Sequence, residues 1–185
     1  MLVPQHILSF WFDEAGAQKW YKGGDSFDAL IRERFEVFTV KTAATFEAES
    51  AHPWETKPED ALALVILLDQ FSRNMYRGTK GAFAFDASAL TIARRAVGKG
   101  FDLKLPQDQR AFFYMPYMHA EDIATQDECV RLAGTRLENA STLFHAREHQ
   151  KLIAKFGRFP HRNKILGRTS TQEELSFLYE GGYTP

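Results

Sequence analysis

The chain has 185 residues, 44% of them hydrophobic and 25% charged, a length and mixture that fit one globular domain with a single core. Its 23 basic and 24 acidic residues leave a formal net charge of −1, so no global positive field marks a nucleic-acid or membrane-surface binder. Cys129 is the one cysteine, which excludes an internal disulfide and a cysteine-based zinc cluster.

The N-terminal MLVPQHILSFWFDEAG has no basic leader, and the longest wholly apolar runs are far below the roughly 20 residues of a membrane span. A cytoplasmic protein without a membrane segment is expected. In chain order, Pro4 to Phe12 reads as a short helix with proline in its first turn. Gly16 and Gly23-Gly24 frame a loop carrying Trp20 and Tyr21. From Asp25, the apolar positions Phe27, Leu30, Ile31, Phe35 and Phe38 predict a helix reaching about Phe46. Two prolines mark Glu49 to Pro58 as a connection.

Pro58 then opens a central helix whose stretch Ala61 to Leu68 contains no polar side chain, so no face is left for water and the helix must be buried. Its second half abruptly turns polar. A helix from Asp86 to Gly98 or Gly100 follows, and then one from Pro106 through the second apolar run, Ala111 to Met118, where Pro116 predicts a kink or an early end. Gln126 to Leu137 and Thr142 to Phe156 complete the long helices, with Gly157 placed to end the second. Thr169 to Thr171 with Glu173-Glu174 predicts a capping box for a last short helix. No segment alternates with period two. The expectation is an all-α single domain, 1–185, of about eight helices, with 181–185 a frayed tail.

Three polar clusters interrupt this apolar plan. Asp69, Arg73 and Arg77 are spaced by four and form one ladder on a helix face, with Gln70 and Asn74 on the adjacent strip. They read either as an internal salt-bridge ladder or as a wall whose arginine forks are left to grip an anion. His119, Glu121 and Asp122 follow the second apolar run. His119 and Asp122 share a helix face if the helix passes Pro116, and a carboxylate there would hold a histidine as a base, an acid or, with a second histidine from elsewhere, a metal ligand, or else Asp122 caps the next helix. Lys155, Arg158, Arg162, Lys164 and Arg168 make an acid-free stretch with His161 and Asn163 inside it. That stretch is an anion site, or a neutralising partner for Glu121 and Asp122. His145 to His149 matches H-x-x-E-H, but Leu152, Ile153 and Phe156 continue the same face toward the core, so His149 reads as a buried histidine or a site wall and no metal site is expected. No serine elbow, phosphate-binding loop or dinucleotide fingerprint is present, and no cofactor is indicated.

The segments LDQFSRNMYRG (68–78), AFAFDASAL (82–90), FFYMPYMHAED (112–122) and FGRFPHRNKILGR (156–168), with the N-terminal ILSFWF, resemble the bacterial domain-of-unknown-function family 924 over nearly the whole chain. That resemblance implies a tetratricopeptide-like fold, a right-handed array of antiparallel helix pairs, and carries no activity. Ser72 stands where the family commonly has proline, which predicts a more regular helix there. Two functions are weighed. The first is a polar pocket for a small anionic metabolite, with Asp69, Gln70, Arg73, Asn74, Arg77, Arg158, Arg162 and Asn163 binding and His119, Glu121, Asp122, His149 and His161 as candidates for catalysis. The second is a non-catalytic module that binds a peptide or protein, with no nucleic acid in either case.

Overall fold

The structure is a computed structural model in which residues 2–184 are described, the side chains of residues 21 and 22 excepted. Among these residues no strand occurs, and twelve α-helical segments are joined by π-helical and 3-10 turns. The fold is all-α, more finely divided than the expected eight helices. The chain falls into two compact units, residues 1–116 and 117–185.

In the first unit, α1 (Pro4–Leu8) widens into a π-helical segment, Ser9–Ala15. Gly16, at φ 65°, absorbs the turn into α2 (Gly16–Lys22). The loop expected around Trp20 is thus a helix, because one left-handed glycine makes the corner and Ala17, Gln18 and Lys19 favour helix. The Trp20 indole N–H donates to the Trp11 carbonyl at 2.8 Å, and its ring packs on Trp11, Phe12 and Phe112. α3 (Asp25–Glu49) begins with Asp25 and Asp28 in its first turn and buries Phe27, Ile31, Phe35 and Phe46.

The central helix starts at Pro58, as its N-terminal proline requires. It runs as α4 (Pro58–Val65), a π-helical stretch (Ile66–Phe71) and α5 (Ser72–Met75). Every residue from Ala61 to Asp69 is buried. The wide turn disturbs the regular carbonyl pairing, and side chains just beyond it supply additional donors. Ser72 Oγ donates to the Leu68 carbonyl at 2.6 Å, Arg73 to the Asp69 carbonyl at 2.9 Å, and Asn74 to the Gln70 carbonyl at 3.0 Å. The helix before Ser72 is therefore less regular than expected, since a hydroxyl serves the π turn where proline would have no N–H. α4 packs against α1 and against α6 (Asp86–Gly98), whose Ala89, Ala93 and Ala96 allow close approach.

The second apolar run is not one helix. It breaks into α7 (Gln107–Arg110), a 3-10 turn (Ala111–Phe113) and α8 (Met115–Met118). Pro116 has no N–H for the Phe112 carbonyl, so the chain tightens and restarts.

In the second unit, α9 (Ile123–Arg136) and α10 (Ala140–Phe156) are joined by residues 137–139 and pack along each other. Asp122 caps α9, Asn139 caps α10, and Gly157 at φ 69° ends α10. A 3-10 turn (Pro160–Arg162) leads to α11 (Asn163–Leu166) and then to α12 (Gln172–Tyr179), whose Thr171 and Glu174 form the expected capping box. Leu152, Ile153 and Phe159 form a core against which Phe156, Phe177 and Tyr183 pack. Residues 181–184, expected to fray, include this packed Tyr183, while Pro185 lies outside the described residues. No described helix is long and apolar enough to cross a membrane.

Phe71 joins the π turn to the aromatic core of the first unit, with ring centroids 4.7 Å from Phe35, 5.6 Å from Trp11 and 5.7 Å from Phe10. Phe71→Ala is expected to cost about 3–5 kcal/mol, read as a lower urea midpoint of a tryptophan-monitored transition. A loss near zero would contradict the buried packing.

Candidate functional site

The first cluster belongs to the first unit, and its arginines close on carboxylates. Asp69, fully buried on the π turn, accepts from Arg73 at 2.9 Å and from the Gln70 amide at 2.5 Å. Arg73 also grips Asp86 with both terminal nitrogens, at 2.9 and 3.1 Å. Burial works against the Arg73 charge, and Asp69 and Asp86 overcome it, so the guanidinium is held above its ordinary value. Arg77 leaves the ladder and forks onto Asp28 at 2.6 and 3.0 Å, with Asn74 Oδ1 at 3.0 Å as a further acceptor. Asp28 is not singled out in the sequence, and Asp86 stands out there only as the start of a helix. Their visible signal is an acid in the first turn of α3 and of α6.

The second and third clusters meet in the second unit. Residues 119–122 lie beyond α8, so His119 and Asp122 do not share a helix face. Asp122 instead accepts from the Thr125 N–H at 2.8 Å and hydroxyl at 2.6 Å as the cap of α9. Glu121 reaches the basic loop, accepting from the Phe159 N–H at 2.8 Å and from Arg168 at 2.5 and 2.9 Å. Burial raises the Glu121 carboxyl, but these hydrogen bonds outweigh it and hold it below the usual range. Arg158 forks onto Glu174 at 2.7 and 2.8 Å, and Asn163 donates to the same carboxylate at 3.1 Å. The Arg158 fork, with help from the Thr171 N–H and Asn163, pulls Glu174 down to about 2. Glu174 was legible as a helix cap, but its service to Arg158 was not.

Between these pairs lie four of the six histidines, His119, His145, His149 and His161. His149 is 4% exposed, and its Nδ1 sits 2.8 Å from the His145 carbonyl. A carbonyl only accepts, so the proton is on Nδ1 and the lone pair on Nε2. The His119 ring lies 6.4 Å away, Phe159 5.5 Å and Tyr183 5.6 Å between centroids. Burial, followed by the neighbouring His119, drives His149 down to about 3. His161 falls to about 4 through burial and then Arg162, and its buried Nδ1 has no hydrogen-bond partner. Arg162, 5% exposed, lies 4.4 Å over the Phe159 ring and donates to the His119 carbonyl at 3.1 Å. Within the H-x-x-E-H stretch the polar groups have separate engagements: His145 with Tyr183, Glu148 with Lys151, His149 with the backbone. No group of three metal-ligating side chains occurs among the described residues.

Bacterial proteins of unknown function grouped as DUF924 match residues 7–182 of this sequence. The chain belongs to that family. A solved protein of unknown function from Agrobacterium tumefaciens, ATU0120, superposes with a TM-score of 0.88 at 40% identity, over 96% of this chain and 97% of its own. No curated protein matches the sequence.

Two measurements test the electrostatics of this DUF924 protein. Arg73→Ala removes a cation from the buried Asp69 and is expected to cost about 3–5 kcal/mol. Arg77→Ala, with a side chain 58% exposed, should cost about 1 kcal/mol or less in the same urea titration. The second test is pH dependence. Glu174, lowered in the folded state, contributes stability above pH 4.5 that is lost as pH falls toward 2. His149 stays neutral when folded but charges when unfolded, so stability also falls from pH 6.5 toward 3, with His161 acting in the same direction. The urea midpoint should therefore drop steadily below pH 6.5, and His149→Gln should flatten its upper part. An unchanged slope in that variant would contradict the burial of His149.

Proposed function

We propose that this protein binds a small anionic metabolite among Arg162, His119, His149 and His161 of its second unit. The observation that carries this reading is the gathering of one guanidinium and several imidazoles around a desolvated ring: Arg162 donates to the His119 carbonyl at 3.1 Å, and the His119 ring lies 6.4 Å from that of buried His149. His119, Arg162 and His145 all oppose the charging of His149, after burial has already disfavoured it. An anion seated there would be attracted by the same field and would relieve the mutual repulsion. Arg158 and Asn163 border the loop and hold Glu174, while Asp69, Gln70, Arg73, Asn74 and Arg77 are engaged in the first unit. The reading requires none of these to release its partner. Any chemistry would be proton transfer at His149 Nε2 or at His161, because Glu121 and Asp122 hold Arg168 and the α9 cap.

The test is calorimetric titration with inorganic phosphate and simple carboxylates in buffers of different ionisation enthalpy. A bound anion raises His149 and His161 from their free values of about 3 and 4, so binding should take up protons and strengthen as pH falls from 6 toward 4. Arg162→Met should weaken affinity by about tenfold or more while the unit stays folded. No heat from any of these anions, or binding indifferent to both pH and Arg162, would sink the reading.

A tetratricopeptide-like module that binds a peptide is the second reading. It is supported by the short α9–α10 connection, and by an open groove of about 360 Å³ in the first unit lined by Leu2, Phe10, Phe35 and Arg34. A photoreactive residue at exposed His6, which also lines that groove, should cross-link a discrete peptide partner in cells. Only solvent adducts would count against it.

A further inference from the structure

We propose that residues 181–183 form a strap whose Tyr183 covers the His149 imidazole and controls access to it. That the admitted ligand is an anion rests on the reading above; the cover itself does not.

The strap leaves α12 through two glycines with different jobs. Gly181 takes φ 76°, a conformation that side chains resist, and its N–H bonds the Leu178 carbonyl. Gly182 donates to the Phe177 carbonyl at 2.9 Å and lies so close to the Phe177 ring that a Cβ would come within 2.4 Å of it. This turn carries Tyr183 back onto α10. Its hydroxyl is 2.7 Å from His145 Nδ1, and its ring centroid lies 6.0 Å from that of His145 and 5.6 Å from that of His149. His145 and His149, one helical turn apart, thus share a single aromatic cover. The same ring packs on the small core of Leu152, Ile153 and Phe159.

Tyr183 is half-buried, and a single ring with one hydroxyl contact, carried on a glycine turn, holds it there. The turn beneath it is held by two backbone hydrogen bonds, Gly181 to Leu178 and Gly182 to Phe177, so a local opening that breaks these and the ring contacts leaves the helices intact. Closed, it keeps water from His149 and keeps the imidazole neutral. Open, it exposes the Nε2 lone pair beside Arg162 and His119.

The experiment follows acylation of individual histidines by diethyl pyrocarbonate, which attacks the neutral imidazole, using peptide mass spectrometry on the full chain. In Tyr183→Ala, His149 should react about tenfold faster or more, with exposed His6 unchanged as an internal reference. Gly182→Ala, which drives a methyl into Phe177, should produce the same acceleration by displacing the strap with Tyr183 intact. Tyr183→Phe keeps the ring and loses the hydroxyl bond, and should fall between these and the native chain. Unchanged His149 rates in Tyr183→Ala and Gly182→Ala, with circular dichroism showing both folded, overturn the strap. Inorganic phosphate is the second arm. Protection of His149 in the opened variants supports both proposals. Acceleration without protection upholds the strap and tells against anion binding.

Discussion

The pairing of buried carboxylates with arginine forks is the constraint on which both units depend. Asp69 lies inside a helix with no exposed face, a position where an uncompensated charge is very costly. Arg73 meets it and carries the pairing on to Asp86, so the π turn of the central helix and the first turn of α6 are tied by one guanidinium. In the second unit the same device recurs twice. Glu174 closes the Arg158 fork, while Glu121 joins Arg168 to the Phe159 N–H and thereby shapes the loop after α10.

This constraint explains why the basic stretch from Lys155 to Arg168 is not a free electropositive patch. Arg158 and Arg168 are matched by acids distant in sequence, and Lys155 by Glu173. The remaining cation of the loop is nearly buried: Arg162 lies over the Phe159 ring and donates to the His119 carbonyl, close to the His149 and His161 imidazoles whose charging burial disfavours. Electrostatics among these groups are governed by their desolvation more than by the net charge of the chain.

The elements with strong local signals are legible in the sequence. Pro58 begins the central helix, Gly157 ends α10, and Thr171 with Glu174 caps α12, because each depends on chemistry within one turn of chain. The eight-residue apolar run was legible as buried for the same reason, since it has no face to offer water. The places that went unread involve competition between turns. The π-helical stretches at Ser9–Ala15 and Ile66–Phe71 leave no mark in hydrophobic periodicity, and the Trp20 segment is helical because Gly16 turns the corner. Tyr183 was read as tail, because nothing near it in sequence reveals that His145 lies within hydrogen-bond reach.

By itself, then, the sequence determined an all-α protein with a buried central helix, three polar clusters and the residue types able to grip an anion. Arg73, Arg77, Arg158, Arg168, Glu121 and Glu174 stand out in it as cluster or cap residues and Asp86 as a helix start, whereas Asp28, the partner of Arg77, carries no such mark. Tertiary structure alone decided which acid meets which arginine, that Arg77 turns to Asp28 instead of extending its ladder, and that His149 is buried beneath Tyr183. The reason is physical. Caps and apolar faces are governed by interactions across a few residues, whereas charge pairing and desolvation depend on distances set only when remote segments pack.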